Sequence, residues 1–148
     1  MRRDLGDGYE LDDDPTRVDH GAVHRFLSTE AYWAIGRSRE VVDATIADAA
    51  RVVGLYHDRE QVGFVRIVSD RHTVAYVADV YVLAEHRGRG LGVKLMEFAL
   101  TEGSLTHIRK WGLHTRDAHE LYRRVGFGDP DGRYMERWNL PPAGEPET

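Results

Sequence analysis

The residues best suited to chemistry lie in one stretch, Asp79 to Met96, DVYVLAEHRGRGLGVKLM. An apolar strand pattern runs into Glu85-His86-Arg87-Gly88-Arg89-Gly90-Leu91-Gly92, which opens an amphipathic helix. Glycine lets the backbone turn sharply and lets a ligand approach main-chain N–H groups. The first N–H groups of a helix have no internal partner and lie at its positive end, so they attract an anion. Arg87 and Arg89 add charge at the same place. Two readings stand on these residues alone: a phosphate or pyrophosphate site, or a glycine-rich turn carrying two solvated arginines. The dinucleotide pattern G-x-G-x-x-G is not met, because Val93 stands where the third glycine would be. The P-loop pattern G-x-x-x-x-G-K-[ST] is absent as well.

Further candidates surround this loop. Asp79 interrupts the apolar run Val74 to Leu83, where a carboxylate needs either a partner or a raised pKa. It could accept a proton directly or through water, or it could tie down a loop or a neighbouring arginine. Tyr122 falls on the apolar face of a later helix and could be a core tyrosine or a proton donor. His114 and His119 have the side chain best suited to proton transfer near neutrality, but the chain holds eight histidines and most belong on the surface.

Two of these segments carry a family resemblance. Arg87-x-x-Gly90-x-Gly92 resembles the [RQ]-x-x-G-x-[GA] motif of the GNAT superfamily of N-acetyltransferases, and it lies between strand and helix as in that family. Ala118-His119-Glu120-Leu121-Tyr122-Arg123-Arg124-Val125-Gly126-Phe127 resembles the family's A-x-x-L-Y-x-x-x-G-F segment. The resemblance spans roughly Val52 to Trp138.

It implies an acetyl-CoA-dependent transfer to a primary amine by direct attack, with no covalent enzyme intermediate. Backbone N–H groups of Arg87, Gly88, Arg89, Gly90, Leu91 and Gly92 would hold the pyrophosphate. The strand edge at Val80, Tyr81 and Val82 would pair with the pantetheine arm. That strand and the one near Trp111 to Thr115 would splay apart to admit the cofactor, and Tyr122 would be the general acid. Asp79 is the acid nearest the family's base position, although Ala78 stands where many members place a glutamate. Thr115 stands where the family often has a cofactor-contacting asparagine. Tyr32 and Trp33, between the first two helices, fall where the family shapes its acceptor pocket; they could equally link helix to sheet. A catalytically silent acyl-CoA sensor of the same fold is the alternative, and a protein-interaction module is a third reading.

The elements that must position these residues follow from periodicity. Helices are expected over about Thr16 to Leu27 and after Ser38, and three antiparallel strands over Val52 to His57, Gln61 to Val68 and Thr73 to Leu83. A helix from Leu91 to Thr101, a short strand from Trp111 to Thr115, a helix capped by Asp117 and ended by Gly126, and a last strand from Arg133 to Trp138 complete the order. This predicts an α+β domain with helices on both faces of a mixed, mostly antiparallel sheet. A strand within Tyr9 to Asp13 is a weaker expectation. Met1 to Gly8 and the tail after Leu140 read as loose ends.

Composition bounds the rest. The chain has 148 residues, 41% hydrophobic and 30% charged, which suits one domain with a real core. It has no cysteine, so disulfides, thiolate chemistry and cysteine-ligated zinc are excluded. The N-terminus lacks the apolar stretch of a secretory signal, and no run is long enough to span a membrane. A net charge of −5 gives no general attraction to nucleic acid. The expected setting is the cytoplasm, with a small-molecule or peptide amine as acceptor; a homodimer is compatible with all of this.

Overall fold

A computed structural model describes residues 1–140; the tail Pro141 to Thr148, read above as loose, lies outside the described residues. The molecule is organised on one six-stranded sheet whose spatial order follows the chain. Its strands are β1 (Arg2–Gly6), β2 (Tyr9–Asp12), β3 (Arg51–His57), β4 (Glu60–Ser69), β5 (Val74–Val82) and β6 (Lys110–Gly112). Neighbours are antiparallel from β1 to β5, and β6 lies parallel to β5. The mixed sheet with helices on both faces is as expected.

Each face buries its own cluster. On one side, α3 (Leu91–Thr101) and α4 (His119–Arg124) bring Leu95, Met96, Phe98, Ala99 and Tyr122 onto Val53, Leu55, Val65, Ile67, Ala75 and Val77. On the other, α1 (His20–Thr29) and α2 (Arg39–Ala47) bring Val23, Phe26, Leu27, Val42 and Ile46 onto Val52, Phe64 and Tyr81. Phe26 stacks on Tyr81 with ring centroids 4.0 Å apart. No helix of the described residues is long and apolar enough to cross a membrane.

The meander β3–β4–β5 and the helix α3 form where the sequence places them, and Ser38 caps α2 by accepting from the Val41 N–H. Several boundaries differ, each for a local reason. Met1 to Gly8, expected to be loose, contains β1, which pairs with β2 through the two-residue turn Asp7-Gly8. Asp7 has φ +54° and Gly8 φ +82°, the doubly positive geometry that a tight hairpin requires. The first helix starts later than expected: Asp14 caps a 3₁₀ turn at Pro15–Arg17, and Asp19 then caps α1. Asp117 does not cap α4; Ala118 occupies that position, and its N–H is met by the Thr115 Oγ1 at 3.0 Å. The strand expected at Trp111 to Thr115 reduces to β6. Arg133 to Trp138 is not a strand, because its alternation serves side-chain contacts rather than backbone pairing. Tyr134 and Trp138 both donate to Glu136, at 3.1 Å each, while Met135 points to solvent at 90% exposure.

Candidate functional site

The site is built where β5 and β6 part. β6 pairs with β5 only at Val74, Ala75 and Tyr76, opposite Lys110, Trp111 and Gly112. Beyond Tyr76, β5 continues to Val82 with no strand on that edge among the described residues. The Leu83 N–H bonds back to Val62 of β4 at 2.8 Å, so the Val82 carbonyl, on the same peptide, points to the open side. There it accepts from the Arg87 Nε at 2.8 Å. Arg87 therefore fastens the glycine-rich loop to the strand instead of standing free as a charge.

The loop leads directly into α3. Gly88 and Gly90 have φ +79° and +75°, left-handed conformations in which a Cβ is strained. The positions where their Cβ atoms would lie are open space. Gly90 occupies the N-cap of α3 and no side chain caps that end, so the first N–H groups of the helix face outward without a protein acceptor. Gly92 serves a different purpose: a Cβ there would come within 2.7 Å of the Leu121 Cδ1, so this glycine lets α3 and α4 approach.

A β-bulge marks the middle of β5. Phe64 pairs with Tyr81 and Arg66 with Ala78, so Val65 alone faces both Asp79 and Val80. Asp79 has φ +55°, unusual for a non-glycine residue, and only 6% exposure. Its Oδ1 accepts from the Trp33 Nε1 at 3.0 Å and the Arg37 guanidinium at 3.0 Å, and its Oδ2 from the Arg66 Nε at 2.8 Å. Burial opposes ionisation, but the charges of Arg66 and Arg37 and the hydrogen bonds from Arg66 and Trp33 outweigh it. They hold the Asp79 carboxyl below its ordinary value. Asp79 therefore locks the link between α1 and α2 onto the bulge. Tyr32, beside Trp33 in that link, accepts from the Arg116 N–H at 2.8 Å, and the Arg116 guanidinium lies 3.8 Å over its ring. The link is thus pinned both to the sheet and to the approach to α4.

Tyr122 lies on α4 at 9% exposure, and its hydroxyl has no hydrogen-bond partner among the described residues. Burial, reinforced by Tyr32 and Asp117, pushes its pKa up to about 12, so it carries its proton throughout the neutral range. The motif residues after it have a clear use. Gly126, at φ +98°, turns the chain so that the Phe127 N–H bonds to the Tyr122 carbonyl and the Phe127 ring meets Tyr122 edge-on at 6.0 Å. Thr115 spends its oxygen on the start of α4. His119 is exposed on the outer face of that helix.

The structure thus ties the loop to the open edge of β5 through Arg87, Trp33 to Asp79, and Tyr32 to Arg116 just ahead of the Tyr122 helix. Sequence reasoning missed Arg37 and Arg66. Arg66 did leave a signal: it interrupts the apolar run of β4 as Asp79 interrupts β5, and two opposite charges in adjacent apolar strands invite pairing. Arg37 gave none.

The chain is similar to known proteins. The acetyltransferase (GNAT) domain family matches residues 48–128, from the strand meander through the Gly126-Phe127 turn. A Gibberella zeae protein that carries an acetyltransferase name is 30% identical over 145 residues, covering 82% of this chain and 80% of that protein. The crystal structure of a GNAT-family acetyltransferase from Xanthomonas campestris pv. campestris superposes with a TM-score of 0.83 at 38% identity, covering 88% of this chain and 92% of that one. The crystal structure of a protein from Deinococcus radiodurans R1 that carries an acetyltransferase name gives 0.71 at 25% identity, covering 91% of this chain and 92% of that one. The chain belongs to the GNAT superfamily and is an acetyltransferase.

Proposed function

We propose that the protein transfers the acetyl group of acetyl-CoA to a primary amine on a small molecule or peptide. The observation that carries this reading is the joint opening at the β5–β6 fork: an unpaired strand edge leads into an uncapped helix N-terminus. The residues there fit the donor. Outward N–H groups at a helix start suit a pyrophosphate, and the open space over Gly88 and Gly90 leaves room for it. The edge at Val80 to Val82 offers main-chain groups to the amides of the pantetheine arm, as strand addition would. Bound in this way, acetyl-CoA supplies an activated thioester.

The remaining work falls to side chains. Holding donor and acceptor together removes part of the barrier, roughly 7–11 kcal/mol for ideally oriented reactants. Tyr122, protonated at neutral pH, gives its proton to the departing sulfur. Asp79, already committed to three donors and held ionised, acts as a positioning residue for Trp33 and the acceptor side of the cleft. As a base it would first have to give up those donors.

Thiol release from acetyl-CoA should be followed against a panel of small amines, amino sugars and peptides. Turnover with one class supports the reading, and its absence with all of them removes it. Tyr122→Phe should lower kcat on the order of 10²–10⁴-fold with CoA affinity by calorimetry unchanged. A near wild-type kcat would return Tyr122 to the core.

A further inference from the structure

We propose that Tyr76, His114 and Glu136 form a proton relay that deprotonates the acceptor ammonium, with the Tyr76 hydroxyl meeting the amine. The proposal rests on the acetyl-transfer reading and supplies the base that Asp79 is poorly placed to be.

Position comes first. Tyr76 is the last residue of β5 that pairs with β6, so it stands at the fork where the strands separate. It is three residues ahead of the bulge at Asp79, and His114 follows just beyond the end of β6. The Tyr76 hydroxyl lies 2.6 Å from the His114 Nδ1. The His114 Nε2 lies 3.0 Å from the Glu136 Oε2. The Tyr134 hydroxyl is 3.1 Å from that same carboxylate oxygen and 3.3 Å from Nε2, and the Trp138 Nε1 donates to the other oxygen at 3.1 Å.

The direction of every proton follows from this set. Hydrogen bonds from Trp138, His114 and Tyr134 hold the Glu136 carboxyl below its ordinary range, so it is an acceptor only. Nε2 must then carry the hydrogen that points to Glu136. In the neutral ring, Nδ1 is left with its lone pair, and Tyr76 donates to it. Burial first, and then Tyr134, Asp79 and Glu136, raise the Tyr76 pKa, so its hydroxyl keeps the proton it donates. Of the charged groups bearing on Tyr76, Asp79 and Arg66 are paired with each other, which leaves Glu136 as the unbalanced one.

The transfer balances without any further reactant. The ammonium N–H bond breaks toward the Tyr76 oxygen as the hydroxyl proton of Tyr76 passes to Nδ1. The imidazolium so formed keeps its Nε2 hydrogen on the Glu136 carboxylate and passes its Nδ1 proton back through the Tyr76 hydroxyl to solvent once the amine has reacted, which restores the starting tautomer. Over a turnover the ammonium loses two protons; one offsets the proton that Tyr122 delivers to sulfur, and the other goes to water.

The test has two arms. In the protein alone, ¹⁵N spectra of the His114 ring should show the neutral form protonated at Nε2. Protonation at Nδ1 would overturn the relay, and no acyl donor is needed to see it. With a competent amine, Tyr76→Phe should lower kcat/KM on the order of 10²–10⁴-fold at unchanged CoA affinity. Glu136→Gln should lower kcat/KM and let the Nδ1-protonated tautomer appear in those spectra, because no carboxylate then fixes the hydrogen on Nε2. If wild type turns over but Tyr76→Phe keeps its kcat/KM, the relay fails and the acetyl-transfer reading stands. If wild type binds CoA and acetylates no amine, that reading fails and takes the relay with it.

Discussion

The two ends of α3 are treated in opposite ways. At its C-terminus the buried Arg51 guanidinium, part of a residue 7% exposed, donates to the carbonyls of Phe98, Ala99 and Glu102 at 3.3, 2.9 and 2.8 Å. Asp13 balances its charge at 3.1 Å. Gly103, at φ +85°, makes room for it, since a Cβ there would lie 2.7 Å from the Arg51 Cζ. The N-terminus has none of this: Gly90 occupies the cap with no side chain to meet the free N–H groups. A helix leaves orphan groups at both ends, and a cation suits the carbonyl end as an anion suits the other. One end is completed by the protein. At the other, no side chain among the described residues meets the N–H groups.

The largest effect should come from filling the open end. Gly90→Glu places a carboxylate where the anion would sit, and measurable CoA binding should disappear in calorimetry. The left-handed backbone at this position adds a stability loss of about 1–2 kcal/mol. Retained affinity would show that the anion binds elsewhere.

The completed end should respond in the converse way. Arg51→Met strands three carbonyls and leaves Asp13 with the Met1 ammonium as its partner, with an expected loss of about 3 kcal/mol in denaturant unfolding. CoA affinity of the folded fraction should stay within about twofold. A large drop in affinity at unchanged stability would erase the distinction between the two ends.

Asp79, enclosed by Trp33, Arg37 and Arg66, should behave like the completed end. Asp79→Asn leaves the Arg66 and Arg37 charges without their counter-ion, and about 3 kcal/mol of stability should go. The sign of the pH dependence follows from the lowered pKa. The carboxylate's contribution is present above the ordinary Asp value near 4 and fades as pH falls through the folded-state value below it. Acid unfolding of the variant should lack that component. Equal acid sensitivity in both proteins would mean that the two arginines do not hold the carboxylate.

What the sequence discloses depends on how far apart the cooperating residues lie. The glycine-rich loop and the Tyr122 helix are local, and both sit where their spacing puts them. The β1–β2 hairpin was legible too, since Asp7-Gly8 between Leu5 and Tyr9 is a strong turn signal. Reading Met1 to Gly8 as loose gives composition more weight than turn chemistry. The expected strand at Arg133 to Trp138 errs differently. Its alternation exists, but it gathers Tyr134, Glu136 and Trp138 on one side around His114, and periodicity does not distinguish that from pairing. The partners of Asp79 lie 46, 42 and 13 residues away along the chain, beyond any local pattern. Its bulge and positive φ were equally hidden, because an aspartate inside an apolar strand announces a need for partners and not their identity.

The contact between Gly92 and Leu121 joins the two motif segments into one mechanical part. With no side chain at 92, α3 rests directly against Leu121, whose next neighbour is Tyr122. Positions 92 and 121 therefore share a single allotment of volume, and a methyl added to one must be removed from the other or the helix shifts. Leu121 stands next to Tyr122 in α4, so packing at position 92 bears on how the Tyr122 helix is seated. Neither position can change size alone, so a substitution at 92 has to be matched at 121 for the two helices to keep their spacing.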